Sequence, residues 1–299
     1  MEEGTKKDIL IIGADSMLGQ VLFKEAAHLY SVEGTALSDL DMTDKKKVME
    51  TCRKIHPKTI VLLAAYTDVD GCEEKPDVAH KINVLGTKNV AEAAKEINAV
   101  LLFMSSDYVF DGRAKMPYRE DDEIRPISVY GQSKADGEKI VANTVEKFVV
   151  IRSSWLFGDG KKGFVQAILE AIRQKRPLRV VADKTGSPTY VVDLASAIVK
   201  LIGLILKGEY DFQKNSIVHI TNQGVCSWFD MAQYMVRCLK TDGVSVSEIK
   251  LSDYSFKAKR PQHSALDNGR YKAITGAYLR PWQEALGEFI RTSDAKYKN

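Results

Sequence analysis

Three side chains in the middle of the sequence could together move a proton to a carbonyl oxygen. Ser106 follows a run of apolar residues, and Tyr130 and Lys134 come further along the chain. Tyr130 and Lys134 are four residues apart, so on a helix they project from the same face. A phenol has a reference pKa of about 10, and a nearby ammonium favours its ionised form. These residue types indicate hydride-transfer chemistry with Tyr130 as the proton donor, although a Tyr and a Lys at this spacing also occur in ordinary surface packing.

Alternating strands and helices are predicted around these residues. Strand-like apolar runs occur at residues 8–13, 32–37, 59–65, 100–105 and 148–151, and helices are predicted from about 17, from 44, over 83–97, from about 130, over 164–173 and over 192–206. Runs that are apolar throughout, such as 9–12 and 100–104, fit central parallel strands that are buried on both faces. The sequence therefore predicts an α/β fold with a doubly wound parallel sheet of the Rossmann type.

The chain is expected to divide into a dinucleotide-binding domain and a smaller C-terminal substrate-binding lobe. The dinucleotide-binding domain would consist of residues 1–152 together with about 190–220. The substrate-binding lobe would consist of residues about 153–189 together with 221–299. The substrate-binding lobe is predicted because the regular alternation of strands and helices is lost there and because several aromatic residues occur near the end of the chain. Ligands of such sheets bind at the carboxyl ends of the strands, where Ser106 would lie.

A glycine turn directly after the first predicted strand is typical of nucleotide binding. Its candidate cofactor-binding residues are Gly13, Asp15, Ser16, Met17, Leu18 and Gly19. Gly13 permits a tight turn, Gly19 permits close packing of helix on strand, and the amides at the helix N-terminus would face a pyrophosphate. Ser16 stands where such turns usually have glycine, so a strand-to-helix turn without a ligand is the alternative.

Two acidic residues after the second predicted strand bear on the choice of cofactor. Asp39 or Asp41 could accept hydrogen bonds from an adenosine ribose, and no arginine stands there to hold a 2′-phosphate. The same carboxylates suit helix capping or a solvated loop equally well. We therefore expect NADH to be accepted, with at most a modest preference for NADPH.

Composition argues against several classes of protein. The 299 residues carry 43 Lys and Arg against 40 Asp and Glu, a net charge of +3 that is too small and dispersed to predict nucleic-acid or membrane binding. No apolar run approaches the roughly 20 residues that span a bilayer. The four cysteines show no zinc-like spacing, so we expect free thiols and no metal site. Without a signal-peptide pattern near the N-terminus, the expected location is cytoplasmic.

Several longer stretches are more specific than the glycine turn. They are residues 64–70 (AAYTDVD), 82–83 (IN), 105–112 (SSDYVFDG), 130–134 (YGQSK) followed by Gly137 and Glu138, 152–157 (RSSWLF), 186–189 (GSPT), and Arg260 and Pro261 with Ser264 and Leu266. Together they resemble the extended short-chain dehydrogenase/reductase superfamily and, within it, the dTDP-4-dehydrorhamnose reductase family. The resemblance implies reduction of the C4 carbonyl of a nucleotide-activated 4-keto-6-deoxy-sugar, with NADPH or NADH as cofactor.

The resemblance also implies roles for individual residues. Ser106, Tyr130 and Lys134 would be the catalytic residues. The nicotinamide side would include Ala64, Ala65, Tyr66, Asn83 and Ser105, and the substrate side Asp107, Tyr108, Trp155 and Arg260. For Trp155, a plain core aromatic is the alternative. Lys184 stands where the family usually has Gln, and His263 stands where it usually has Asn. Because of these two departures, the resemblance does not identify the exact sugar substrate. The expected partner is a nucleotide-sugar, with a homodimer left open.

Two other functions stay open on the sequence alone. A sugar-nucleotide dehydratase of the same superfamily would place an Asp-Glu pair after the hydroxyl residue, whereas here Asp107 is followed by Tyr108, which counts against elimination. A regulatory subunit that keeps the cofactor fold, like that of methionine adenosyltransferase, could lose Tyr130 or Lys134. Both residues are present, which favours an enzyme.

Overall fold

A six-stranded parallel sheet organises the protein. We describe it from a computed structural model in which residues 6–160, 163–241 and 243–297 are described. The strands are β1 (Ile9–Ile12), β2 (Val32–Thr35), β3 (Thr59–Leu62), β4 (Val100–Ser106), β5 (Phe148–Ser153), β6 (Leu156–Phe157), β7 (Leu178–Val181), β8 (Thr185–Gly186), β9 (Thr189–Tyr190), β10 (Ile217–His219), β11 (Cys226–Ser227) and β12 (Val246–Ile249). Six of them form the sheet, in the order β10-β5-β4-β3-β1-β2.

Helices cover both faces of this sheet. They are α1 (Met17–Ala27), α2 (Lys45–Ile55), α3 (Val69–Glu74), α4 (Pro76–Ala79), α5 (Thr87–Glu96), α6 (Val129–Thr144), α7 (Phe164–Arg173), α8 (Val191–Leu206), α9 (Trp228–Leu239), α10 (Gly269–Thr275) and α11 (Trp282–Tyr297). Ile9 and Ile11 share a core with α1 and α8, whereas Leu10 and Ile12 share one with α2 and α5. Because alternate residues of a strand face opposite sides, this confirms the doubly wound fold.

The C-terminal elements pack onto the sheet rather than standing apart from it. Three short pairs, β11 with β8, β12 with β7 and β6 with β9, lie outside the main sheet. Helices α9 and α11 contribute buried residues to the same core as β1 and α8. The division into two domains therefore stays a prediction.

Within the described part of the chain, no helix has the length and apolarity needed to cross a membrane. Residues 1–5, part of the segment searched for a signal peptide, lie outside it.

Short polar residues begin the helices that matter for the site. Ser16 caps α1 by accepting a hydrogen bond from Gly19 N–H, and Ser128 caps α6 by accepting one from Gly131 N–H.

One predicted helix differs from the structure. Residues 83–97 were expected to form a single helix, but His80–Gly86 is a π-helix that leads into α5. Hydrophobic periodicity does not show this change of winding.

Candidate active site

A cleft of about 490 Å³ opens at the carboxyl ends of the parallel strands. Its lining includes most of the residues that the sequence singled out: Ser16, Met17, Leu18, Ala65, Ser105, Ser106, Asp107, Tyr108, Tyr130, Lys134 and Trp155. The other residues that the sequence singled out are not part of this lining: Gly13, Asp15, Gly19, Asp39, Asp41, Ala64, Tyr66, Asn83 and Arg260. The fold thus brings the glycine turn and the three candidate catalytic side chains to one cavity.

Ser106 lies at the end of β4, and Tyr130 and Lys134 lie on the first turns of α6. The Ser106 hydroxyl donates a hydrogen bond of 2.9 Å to Asp107 Oδ1 and accepts one of 3.2 Å from Tyr108 N–H. The Tyr130 ring packs edge-on against Tyr108, with the centroids 5.5 Å apart. Helix α6 packs against β4, which brings the serine and the tyrosine to the same place.

Burial dominates the acid–base properties of the site. It raises the pKa of Tyr130, an effect that the neighbouring Ser106 hydroxyl only partly offsets. The expectation from the sequence was a lowered pKa, because an ammonium favours the phenolate; in the structure, desolvation outweighs any such effect. Burial also lowers the pKa of Lys134 to about 8, against the opposing charge of Glu138. The Lys134 ammonium lies 4.3 Å from the centroid of the Phe103 ring.

A buried ion pair beneath the cleft joins α6 to the sheet. Glu138 lies one turn after Lys134 on α6 and accepts two hydrogen bonds from Arg152, from Nε at 2.9 Å and from Nη2 at 2.7 Å. Its Oε1 also accepts a hydrogen bond from the Ser105 hydroxyl. Sequence reasoning assigned no role to Glu138 or Arg152. A signal was available, because Glu138 follows Lys134 on the same helix face and Arg152 interrupts an apolar strand.

The backbone of the glycine turn approaches its neighbours closely at both glycines. Gly13 has φ of 91°, and a Cβ there would come within 2.7 Å of Ala64 N. A Cβ at Gly19 would come within 2.2 Å of Gly13 O. The Ser16 hydroxyl bonds back to Gly13 O at 2.7 Å, so it caps the helix. The first amides of α1, including Met17, lack an acceptor within the helix and lie at the cleft, where a phosphate would fit.

Several predicted cofactor residues have structural partners. Asn83 accepts a hydrogen bond of 2.8 Å from Tyr66 N–H, and its amide donates to Tyr66 O and to the Ser133 hydroxyl. It therefore fixes the chain after β3 against α6. Asp39 accepts from Ala36 N–H at 2.9 Å, and Asp41 accepts from Thr43 N–H at 2.8 Å. That loop-capping role matches the alternative raised from the sequence.

The predicted substrate residues fall into two groups. Asp107, Tyr108 and Trp155 line the cleft beside Ser106. Arg260 lies outside this lining, where its Nη1 and Nη2 donate to the two oxygens of Asp70 at 2.9 and 2.8 Å. Its guanidinium also stacks 3.8 Å from the centroid of Phe256. Arg260 thus joins the C-terminal segment to α3 in the free protein, and contact with a substrate stays a prediction.

The sequence of this chain is similar to known proteins over nearly its whole length. The model of the family described as the RmlD substrate binding domain matches residues 7–295. The chain is 36% identical over 285 residues to dTDP-4-dehydrorhamnose reductase of Aggregatibacter actinomycetemcomitans, covering 93% of this chain and 96% of the relative. It is 34% identical over 288 residues to the spore coat polysaccharide biosynthesis protein SpsK of Bacillus subtilis, and the match covers 95% of this chain and 96% of the relative.

A solved structure gives the same result in three dimensions. The crystal structure of dTDP-4-dehydrorhamnose reductase from Bacillus anthracis, in complex with NADP, matches with a TM-score of 0.89 at 33% identity. The match covers 96% of this chain and 100% of that chain. The likeness therefore extends over the sheet, the cleft and the C-terminal elements together.

Proposed function

Because the chain belongs to the dTDP-4-dehydrorhamnose reductase family, we propose that it reduces the C4 carbonyl of a nucleotide-activated 4-keto-6-deoxy-sugar. NADPH or NADH is the hydride donor, and dTDP-4-dehydrorhamnose, reduced to dTDP-rhamnose, is the first substrate to test. The observation that carries the proposal is the convergence of Ser106, Tyr130 and Lys134 with the glycine turn at one cleft. The roles of these residues are part of the proposal.

The residues of the chain divide the proton chemistry between them. The residues of the glycine turn would hold a reduced nicotinamide, which would supply the hydride when bound. Ser106, which donates to Asp107 in the free protein, turns its hydroxyl to the substrate oxygen. Tyr130 gives its hydroxyl proton to the same oxygen as the new C–H bond forms, and the phenolate recovers a proton from solvent. Lys134, as a cation, stabilises that phenolate and donates to the ribose.

A panel of 4-keto sugar nucleotides with different bases tests the function. Each is mixed with the protein and NADPH or NADH, and the loss of nicotinamide absorbance is followed. We expect oxidation with the dTDP-linked sugar and little with free, uncharged sugars. Tight cofactor binding without oxidation by any of them would favour a regulatory subunit instead.

The proposal also includes a cytoplasmic location and a homodimer. The absence of a spanning helix in the described residues agrees with a protein that works away from the bilayer. Light scattering on the purified full chain, with and without cofactor, tests for the dimer. A single species at the mass of one 33.3 kDa chain would count against it.

A further inference from the structure

Lys184 is a charged residue buried on the substrate side of the cleft. It lies between β7 and β8, and 0% of its surface is exposed. Its ammonium donates a hydrogen bond of 2.6 Å to the carbonyl oxygen of Pro261. Lysines normally keep their charge in water, because burial of an unpaired ammonium is strongly unfavourable. The surroundings of Lys184 must therefore compensate its charge.

Three aromatic rings and a carboxylate surround this ammonium. Its nitrogen lies 5.8 Å from the ring centroid of Tyr108, 5.5 Å from that of Trp155 and 5.6 Å from that of Trp228. Ring faces attract a cation within about 6 Å, and more strongly where water is excluded. The Asp107 carboxylate, 1% exposed, also faces the ammonium. Burial raises the pKa of Asp107, and the charge of Lys184 opposes that rise. Of these four groups, all but Trp228 line the cleft.

Two polar atoms of these neighbours have no hydrogen-bond partner among the described residues. They are Asp107 Oδ2, an acceptor, and Trp155 Nε1, a donor, and both are buried. Buried polar atoms are normally paired. The Ser264 hydroxyl, which also has no such partner among the described residues, acts on Asp107 and lowers its pKa against the effect of burial, whereas Trp155 Nε1 would be completed by an acceptor on a ligand. Trp155 also has φ of 48°, and its ring occupies the space where a Cβ on Gly186 would lie. A bulky residue keeps such a backbone only where its surroundings impose it.

We propose that Lys184 is a positioning residue whose ammonium holds Asp107 and Trp155 in the orientation that receives the sugar nucleotide. The inference rests on the proposed function and extends it to a residue that does not contact the cleft itself. Gln, the residue expected here from the family resemblance, could also donate to Pro261. A neutral amide, however, would lack the attraction to the ring faces and to the carboxylate.

This arrangement depends on a proton. Burial lowers the pKa of Lys184 to about 8; the charge of Asp107 opposes this effect and that of Arg260 adds to it. The ammonium is therefore present below that pH and is lost as the pH rises through it. Tyr108 also faces Lys184, but burial raises its pKa further above neutrality. His263 contacts the residue that follows Lys184, since its Nδ1 lies 2.9 Å from Thr185 Oγ1 on the adjoining strand.

Tryptophan fluorescence of the free protein tests the arrangement without any substrate. Because Trp155 and Trp228 both lie close to the ammonium, their emission should change as the pH is raised, with a midpoint near the pKa of about 8. Lys184→Gln and Lys184→Met should abolish the transition, and His263→Asn should keep it. The absence of a transition in the wild type would decide against the arrangement even if a Lys184 variant failed to fold. A transition that is present is assigned to Lys184 by the variants, because Lys134 loses its proton in the same range. No transition in the wild type, or one that persists in both variants, would overturn the proposal.

Steady-state kinetics then separate positioning from a merely structural role. At pH 7 the Lys184→Gln variant should raise the KM for the sugar nucleotide by about tenfold and change kcat by less than about threefold. The wild-type KM should rise similarly above pH 8, whereas the KM of the variant should not. Lys134 is present in both proteins, so a difference between them cannot come from the loss of its proton. Equal loss of kcat and kcat/KM would overturn the proposal. If no sugar nucleotide is reduced, the proposed function fails, and the fluorescence transition still decides the arrangement around Lys184.

Discussion

Replacing Glu138 by Gln should destabilise the protein far more than the chemical change suggests. The Glu138 and Arg152 side chains are only 6% and 2% exposed, and two hydrogen bonds join them. Removing one partner of a buried pair leaves the other charge uncompensated and costs about 3–5 kcal/mol. Gln keeps one oxygen as an acceptor, so we expect a loss near the lower end, about 3 kcal/mol. With an m-value of about 3 kcal/mol per M, the urea midpoint should fall by about 1 M.

Urea unfolding followed by circular dichroism measures this loss. Glu123→Gln is the matched control, because Glu123 pairs with Arg125 at the surface, and its midpoint should not move. The Glu138 variant should also show a second effect. The charge of Glu138 supports the Lys134 ammonium, so its removal should shift the alkaline limb of the activity profile to lower pH. A midpoint as little changed as that of the control would show that Arg152 finds other partners, and the reasoning would be refuted.

Four further results are expected from the candidate site. Tyr130→Phe should lower kcat by on the order of 10² to 10⁴ and leave cofactor binding nearly intact in calorimetry, because only the proton donor is removed; a parental rate would show that Tyr130 is not the acid. The rate of reduction should fall as the pH rises through about 8, where the buried Lys134 loses its proton, and a flat stopped-flow profile up to pH 9 would contradict this assignment. NADH should bind in calorimetry with an affinity close to that of NADPH; a hundredfold preference for NADPH would mean that a distant cation holds the 2′-phosphate. Arg260→Ala should mainly raise the KM, and Asp70→Asn should reproduce that effect if the pair acts by shaping the cleft, whereas an effect of Arg260→Ala alone would indicate direct contact with the substrate.

The sequence predicted the sheet and the meeting of the candidate catalytic side chains because both follow from local patterns. Fully apolar runs marked the central strands, and parallel strands bring their carboxyl ends to one edge, which put Ser106 near Tyr130 and Lys134. The starts of α1 and α6 followed from the residue types at their first turns. The family motifs then supplied the order of the site along the chain.

Contacts between charged residues far apart in the sequence could not be predicted in the same way. The pairing of Glu138 with Arg152 and that of Arg260 with Asp70 depend on how layers pack, and apolar periodicity carries no information on which charges become buried. Lys184 was noticed only as a departure from a family pattern, and its aromatic surroundings come from three separate segments. The pKa of Tyr130 also required the structure, since its direction depends on burial.

The π-helix at His80–Gly86 makes the site sensitive to the length of this segment rather than to most of its side chains. A π-helix closes its hydrogen bonds over five residues instead of four, so it accommodates an extra residue without extending the helix as a regular turn would. Deleting one residue would let the segment wind as an α-helix between the same flanking helices, so the backbone would change mainly within the segment itself. Asn83 lies inside it and would lose its alignment with Tyr66 and Ser133. Natural variation here should therefore consist of substitutions at outward positions such as Lys81 and Leu85, with insertions and deletions falling outside the continuous helical run from α4 to α5.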